Sequence, residues 1–186
     1  MNLPNKLTLF RVFLIPVFVV SMLVPFGGVK CEGIYKWIAL AIFVIASLTD
    51  MADGKIARKY KLVTNFGKFM DPIADKLLVC SAMICLIEIG RIPSWAVIII
   101  IGRELIIDGF RLVASDSGIV IAASIWGKSK TVVQMVMVIM MIVNFPWKWF
   151  GILTQIVMLL AVILTIISLV DYLYKNRSVL SFENKA

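Results

Sequence analysis

Four aspartates within one short stretch are the residues of this chain best suited to chemistry. In residues 49–76, TDMADGKIARKYKLVTNFGKFMDPIADK, Asp50 and Asp53 stand three apart, and Asp71 and Asp75 four apart. On helices, either spacing puts both carboxylates of a pair on one face. The chain has no histidine, which excludes an imidazole nucleophile, base or metal ligand. Any metal must therefore be held by oxygen, and four clustered carboxylates suit a hard divalent cation, Mg2+ or Mn2+.

The residues between the acids suit a phosphate. Gly54 and Ala57 remove side-chain bulk one helical turn apart and let a ligand approach the backbone, and Gly67 does the same ahead of the second pair. Arg58 offers a forked donor to a phosphate or nucleotide. Taken singly, each small residue fits close helix packing equally well.

The elements that must carry these residues are membrane helices. The chain is 61% hydrophobic with a mean hydropathy of +1.00, far above the roughly half-apolar composition of a soluble domain. Apolar stretches between charged or Pro/Gly-rich breaks predict six spans, at roughly 8–27, 34–58, 69–90, 93–115, 122–145 and 149–174. The connections are short, and a single membrane domain over residues 1–186 is expected. Residues 7–25 are too long for a cleaved leader's apolar core and lead into bulky residues, so a retained first span is expected. The stretch from Asn2 to Arg11 mixes polar and apolar residues; a short interfacial segment is expected there, with an ordinary helix start as the alternative.

Charge placement predicts the orientation. Lys6 and Arg11 precede or open the first span, six Lys or Arg from Lys55 to Lys76 surround the second turn, Arg111, Lys128 and Lys130 surround the fourth, and Lys175, Arg177 and Lys185 close the chain. The opposite loops hold Lys30, Lys36, Arg91 and Lys148. By the positive-inside rule, both termini and the even-numbered loops are expected in the cytoplasm. The net charge of +8 is then explained by membrane topology and anionic lipid, with no call for nucleic acid. Ile34 to Asp50 is about sixteen residues, or roughly 24 Å of a hydrocarbon core about 30 Å thick. The acids should lie just inside the cytoplasmic boundary, where an unpaired carboxylate is costly. Cys31, Cys80 and Cys85 lack metal-ligand spacing and are expected to pack.

Asp50-x2-Asp53-Gly54-x2-Ala57-Arg58-x8-Gly67-x3-Asp71-x3-Asp75 resembles, at every fixed position, the signature of the CDP-alcohol phosphatidyltransferases. The resemblance implies a six-helix membrane fold, usually dimeric. It also implies metal ligation by Asp50, Asp53 and Asp71, a catalytic base at Asp75 with possible metal contact, and a CDP site shaped by Asp50, Asp53, Gly54, Ala57, Arg58 and Gly67. Intramembrane acids beside basic residues can also mark an ion transporter, but those tend to lie near the midplane in matched halves. Here they cluster at one face and no repeat is found.

The acceptor must be sought elsewhere in the chain. On the fourth span Glu104, Asp108 and Arg111 fall on one face with Arg103 beside them. On the fifth, Trp126-Gly127-Lys128-Ser129-Lys130-Thr131 is a basic step. Arg103, Arg111, Lys128 and Lys130 could surround an anionic acceptor next to the carboxylates. Interhelical ion pairing is an equal alternative for Glu104, and interfacial anchoring for the lysines. With Asn5, Thr8, Arg11, Glu104 and Thr131 as possible supporting residues, these motifs look like the branch of the family that uses sn-glycerol 3-phosphate with CDP-diacylglycerol at the plasma membrane. Cardiolipin synthases of the same family, which use phosphatidylglycerol, are the second reading.

Overall fold

The six apolar stretches fold as six α-helices: α1 (Leu3–Leu23), α2 (Gly33–Lys59), α3 (Asn65–Glu88), α4 (Ser94–Asp116), α5 (Ile125–Val143) and α6 (Lys148–Lys175). This computed structural model describes residues 3–24, 31–59, 65–116 and 124–177; the side chains of residues 3–7, 50–59, 65–69, 71, 72 and 75 lie outside the described ones. All regular structure among the described residues is helical apart from a single 3-10 residue at Arg177.

Four helices begin and end close to the apolar stretches, and two start earlier. α1 is continuous from Leu3, so residues 3–11 form its opening turns rather than a segment set apart from the helix. α3 starts at Asn65, ahead of Gly67 and Lys68. In both cases the polar first turn belongs to the helix but not to its apolar part. α5 starts at its cap: the Ser124 hydroxyl accepts the Gly127 N–H at 3.2 Å, satisfying one of the donors every helix N-terminus leaves open.

Among the described residues two helices, α5 and α6, are long and apolar enough to cross a membrane, and α1 and α2 carry shorter apolar stretches at Thr8–Leu23 and Gly33–Thr49. Large apolar side chains such as Ile98, Leu112, Val132, Ile152 and Val170 face outward. Such a surface suits hydrocarbon as its solvent, and the chain has the character of a membrane protein.

Contacts divide the chain into two compact units. In the first, residues 1–92 with 141–143, α1 packs on α2 and α3, and α2 on α3. The face of α1 that buries Ile15, Phe18 and Met22 runs back through Arg11 and Thr8, a helical repeat of three and four residues. α2 buries Ala39, Phe43 and Ala46, and α3 buries Ala74, Leu78, Ala82 and Leu86. Alanines on both helices let the backbones approach, while Phe18 and Phe43 fill the gap with ring centroids 6.0 Å apart.

Arg91, in the turn after α3, ties this unit together. Its guanidinium donates to the carbonyls of Met141 (3.1 Å) and Ile142 (3.0 Å) at the end of α5, to the Cys31 carbonyl (3.1 Å), and to the Glu32 carboxylate (3.0 Å). Lys36 donates to the Val143 carbonyl at 3.2 Å. With Asn144 in the left-handed conformation returning its N–H to Met140, all four terminal carbonyls of α5 are satisfied. Three are met by cations, Arg91 and Lys36, the charge favoured at a helix C-terminus. Cys31 is buried beneath Arg91, with its thiol 3.3 Å from Met22 Sδ, and burial raises the thiol above its usual range. None of the three cysteines forms a disulfide, and Cys31 and Cys85 are buried packing residues.

The second unit comprises residues 93–140 and 144–186, and in it α4 packs on α6. α6 buries one stripe, Thr154, Met158, Ala161, Thr165, Ser168 and Tyr172. Phe110 meets the Tyr172 ring edge-on at 5.8 Å. Phe145, Trp147, Trp149 and Phe150 stack at the start of α6.

Candidate active site

Asp50 and Asp53 lie in the last turns of α2, and Asp71 and Asp75 in the first turns of α3. Only residues 60–64 separate the two helices. Asp53 is six residues before the end of α2 and Asp71 six after the start of α3, about 9 Å along each axis. Since the two helices also pack together, the four aspartates share one end of one helix pair. Their side chains, with those of Asn5, Gly54, Ala57, Arg58 and Gly67, lie outside the described residues. Among the described residues no group of three or more His, Cys, Asp or Glu could hold a metal ion. The oxygen-only donor set on a packed helix pair fits a hard divalent cation.

Met22 meets Cys31 in the turn just before α2 and Phe18 meets Phe43 within it, so the helices run antiparallel, and the Phe18–Phe43 pair sets their level. Arg11 is seven residues before Phe18, and Asp50 seven after Phe43, each about 10 Å further on and nearly in phase. Arg11 and Asp50 thus occupy the same level of the α1–α2 pair. Arg11 is fully buried and Thr8 almost so. A cation buried this deeply requires compensation by acceptors or an anion, and the end of the unit that carries the aspartates is where it lies.

The second unit gathers another set of charges. Arg103 on α4 donates through Nη1 to Glu104 at 3.1 Å and through Nη2 to the Ser168 hydroxyl of α6 at 2.5 Å. Lys130 on α5 donates to the same Glu104 oxygen. Arg103 and Lys130 are buried; Glu104 is one-fifth exposed. One carboxylate thus holds two cations. Glu104 makes the interhelical ion pair that was one of its two sequence readings.

The remaining predicted cations stand apart from that group. Arg111 is exposed, its guanidinium carbon 5.7 Å from the Tyr172 ring centroid, within range of a cation–π contact. Lys128 and Thr131 are exposed, the Thr131 hydroxyl returning to the Gly127 carbonyl at 3.0 Å. Lys128 and Lys130 occupy the first two turns of α5, where a cation opposes the helix dipole. Their presence there suits an anion that both lysines and helix N-terminus would bind.

Ser168 and Tyr172 escaped the sequence reading because hydroxyls on a long apolar helix resemble packing residues. Their signal was the spacing of Thr165, Ser168 and Tyr172 at i, i+3 and i+7, all on the buried stripe.

Comparison with known proteins decides what the aspartate constellation belongs to. The family model described as CDP-alcohol phosphatidyltransferase matches residues 1–167. The chain belongs to the CDP-alcohol phosphatidyltransferase family. It is therefore a phosphatidyltransferase enzyme, and α1 to α5 and most of α6 lie within the match. A Bacillus subtilis relative, named CDP-diacylglycerol--glycerol-3-phosphate 3-phosphatidyltransferase, is 43% identical over 98% of this chain and 99% of its own length. A Haemophilus influenzae protein of the same name is 38% identical over 92% of this chain and 91% of its own. A probable phosphatidylglycerophosphate synthase of Mycobacterium tuberculosis is 40% identical over 92% and 79%.

Proposed function

We propose that this enzyme transfers the phosphatidyl group of CDP-diacylglycerol to sn-glycerol 3-phosphate, giving phosphatidylglycerol phosphate and CMP. The observation that carries the reading is the likeness, along nearly the whole of both chains, to a relative named for this reaction. The eight-residue signature on α2 and α3 and the buried cations of α4 and α5 supply the chemistry it needs.

Asp50, Asp53 and Asp71, with Asp75 beside them, would hold Mg2+ or Mn2+, which when bound would offset the charge of the diphosphate and of CMP as the leaving group. Arg58 holds the nucleotide end, and Gly54, Ala57 and Gly67 leave it room. Asp75 accepts the proton of the glycerol 1-hydroxyl as that oxygen attacks the lipid-linked phosphorus. The bond to the CMP oxygen breaks, and the electron pair leaves with CMP. Placement and electrostatics carry such a phosphoryl transfer. Arg103, Arg111, Lys128 and Lys130 receive the acceptor's phosphate, supported by Thr8, Arg11, Asn5, Glu104 and Thr131.

The topology proposed is six membrane spans in one domain over residues 1–186, with both termini and the site on the cytoplasmic face of the plasma membrane. In the second unit Trp95, Trp147 and Trp149, exposed at the starts of α4 and α6, fit aromatic anchors at a membrane interface. Lipid surrounds the helices, and a homodimer is proposed from the family.

The test is CMP release from CDP-diacylglycerol by detergent-solubilised protein offered glycerol 3-phosphate, phosphatidylglycerol, serine or inositol phosphate. Turnover with glycerol 3-phosphate alone is expected. Turnover with phosphatidylglycerol instead would make the protein a cardiolipin synthase.

A further inference from the structure

The cation group of α4 and α5 is held from a third helix, by a residue just beyond the stretch that the family match covers. Ser168 is fully buried on α6 and accepts Arg103 Nη2. Gly127 lies beside the contact: a Cβ there would lie 3.4 Å from Arg103 Nη2 and 3.8 Å from Ser168 Oγ. The guanidinium therefore meets a hydroxyl on α6 and, next to it, a bare backbone on α5. Its other terminal nitrogen meets Glu104, which in turn holds Lys130, while Arg103 Nε is buried with no acceptor among the described residues. A chain of contacts, Ser168 to Arg103 to Glu104 to Lys130, thus sets where two cations stand.

We propose that Ser168 is a positioning residue for the acceptor's phosphate: it touches no substrate, but by fixing the plane of the Arg103 guanidinium it aims Arg103 Nε and, through Glu104, sets the Lys130 ammonium. The physical reason is that an arginine fork binds a phosphate only in a defined plane. A guanidinium that rotates within a pocket lined by glycine loses that alignment without losing its charge. The proposal rests on the acceptor reading above.

The test is steady-state kinetics of wild type, Ser168→Ala and Ser168→Thr in detergent, with each substrate varied in turn. Ser168→Ala should raise KM for glycerol 3-phosphate about tenfold, the scale of one charge-assisted hydrogen bond, and leave KM for CDP-diacylglycerol within twofold. Ser168→Thr, which keeps the hydroxyl, should restore most of the loss. If Ser168→Ala unfolds, as thermal unfolding would reveal, Ser168→Cys preserves volume with a weaker acceptor and should show the same split. Unchanged KM for glycerol 3-phosphate, equal weakening of both substrates, or no rescue by threonine overturns the proposal alone. A wild type that releases no CMP with glycerol 3-phosphate overturns the acceptor reading itself, and this proposal with it.

Discussion

Replacing Glu104 with glutamine leaves the shape of the α4–α5 contact and removes a charge that both Arg103 and Lys130 meet. At the 3.1 Å separation of the Arg103 pair, and an effective dielectric of about 20, each ion pair amounts to about 5 kcal/mol of Coulomb energy before desolvation. Breaking a buried pair by deleting one partner typically costs about 3–5 kcal/mol, because the other charge stays buried. Glutamine can still accept one hydrogen bond, and Glu104 is one-fifth exposed, so the low end applies, about 3 kcal/mol. For a chain of this size that corresponds to a drop in Tm of about 6–12 °C. Thermal unfolding in detergent, followed through the five tryptophans, reads it directly. The partner experiment is Glu104→Gln combined with Lys130→Met. Removing the second cation relieves the repulsion that glutamine leaves behind, so the double variant should be more stable than Glu104→Gln alone, with a coupling of about 1–3 kcal/mol. A Tm within 1 °C of wild type for Glu104→Gln, or strictly additive losses in the double variant, would refute the shared-carboxylate argument.

Other perturbations separate the roles assigned above. Asp75→Asn should lose turnover by at least about a hundredfold while CDP binding by calorimetry persists in the presence of Mg2+; near-normal turnover would rule Asp75 out as the base. Asp50→Ala should abolish the metal-dependent part of CDP binding, measured by the same titration. Arg11→Met, at the level of Asp50 in the α1–α2 register, should weaken metal dependence of turnover and lower Tm, whereas Arg111→Ala on its exposed position should leave Tm within about 1–2 °C and raise KM for glycerol 3-phosphate. Arg91→Ala should lower Tm by several degrees with both KM values unchanged, since its partners are carbonyls and Glu32.

The sequence was most informative where polar and apolar residues alternate at scale. Six helices were legible because their interiors are apolar; the apolar part of α1 begins at Thr8, and Asn5 and Lys6 join it in the same helix, the ordinary helix start that was the alternative for that stretch. The signature aspartates were legible because acids near a membrane boundary have few uses besides chemistry. Glu104 was readable only as two alternatives: helix phase puts it beside Arg103, but it cannot say whether a lysine 26 positions on will reach it. Ser168 was not legible, since a lone hydroxyl within α6 gains its meaning from Arg103 and Gly127, both far away in sequence.

Arg91 also bears on the order in which the chain is built. It follows α3, yet two of its acceptors are the carbonyls that end α5, some fifty residues later. A nascent chain that stops after α4 has made the arginine with Cys31 and Glu32, but not the α5 carbonyls. Nor can Lys36, on α2, reach Val143 until then. The tie from the end of α5 back to α2 and to the turn after α3 thus closes only after the lysines of α5 have been synthesised. A product truncated before α5 would hold Arg91 on Cys31 and Glu32 alone and lack that closing tie.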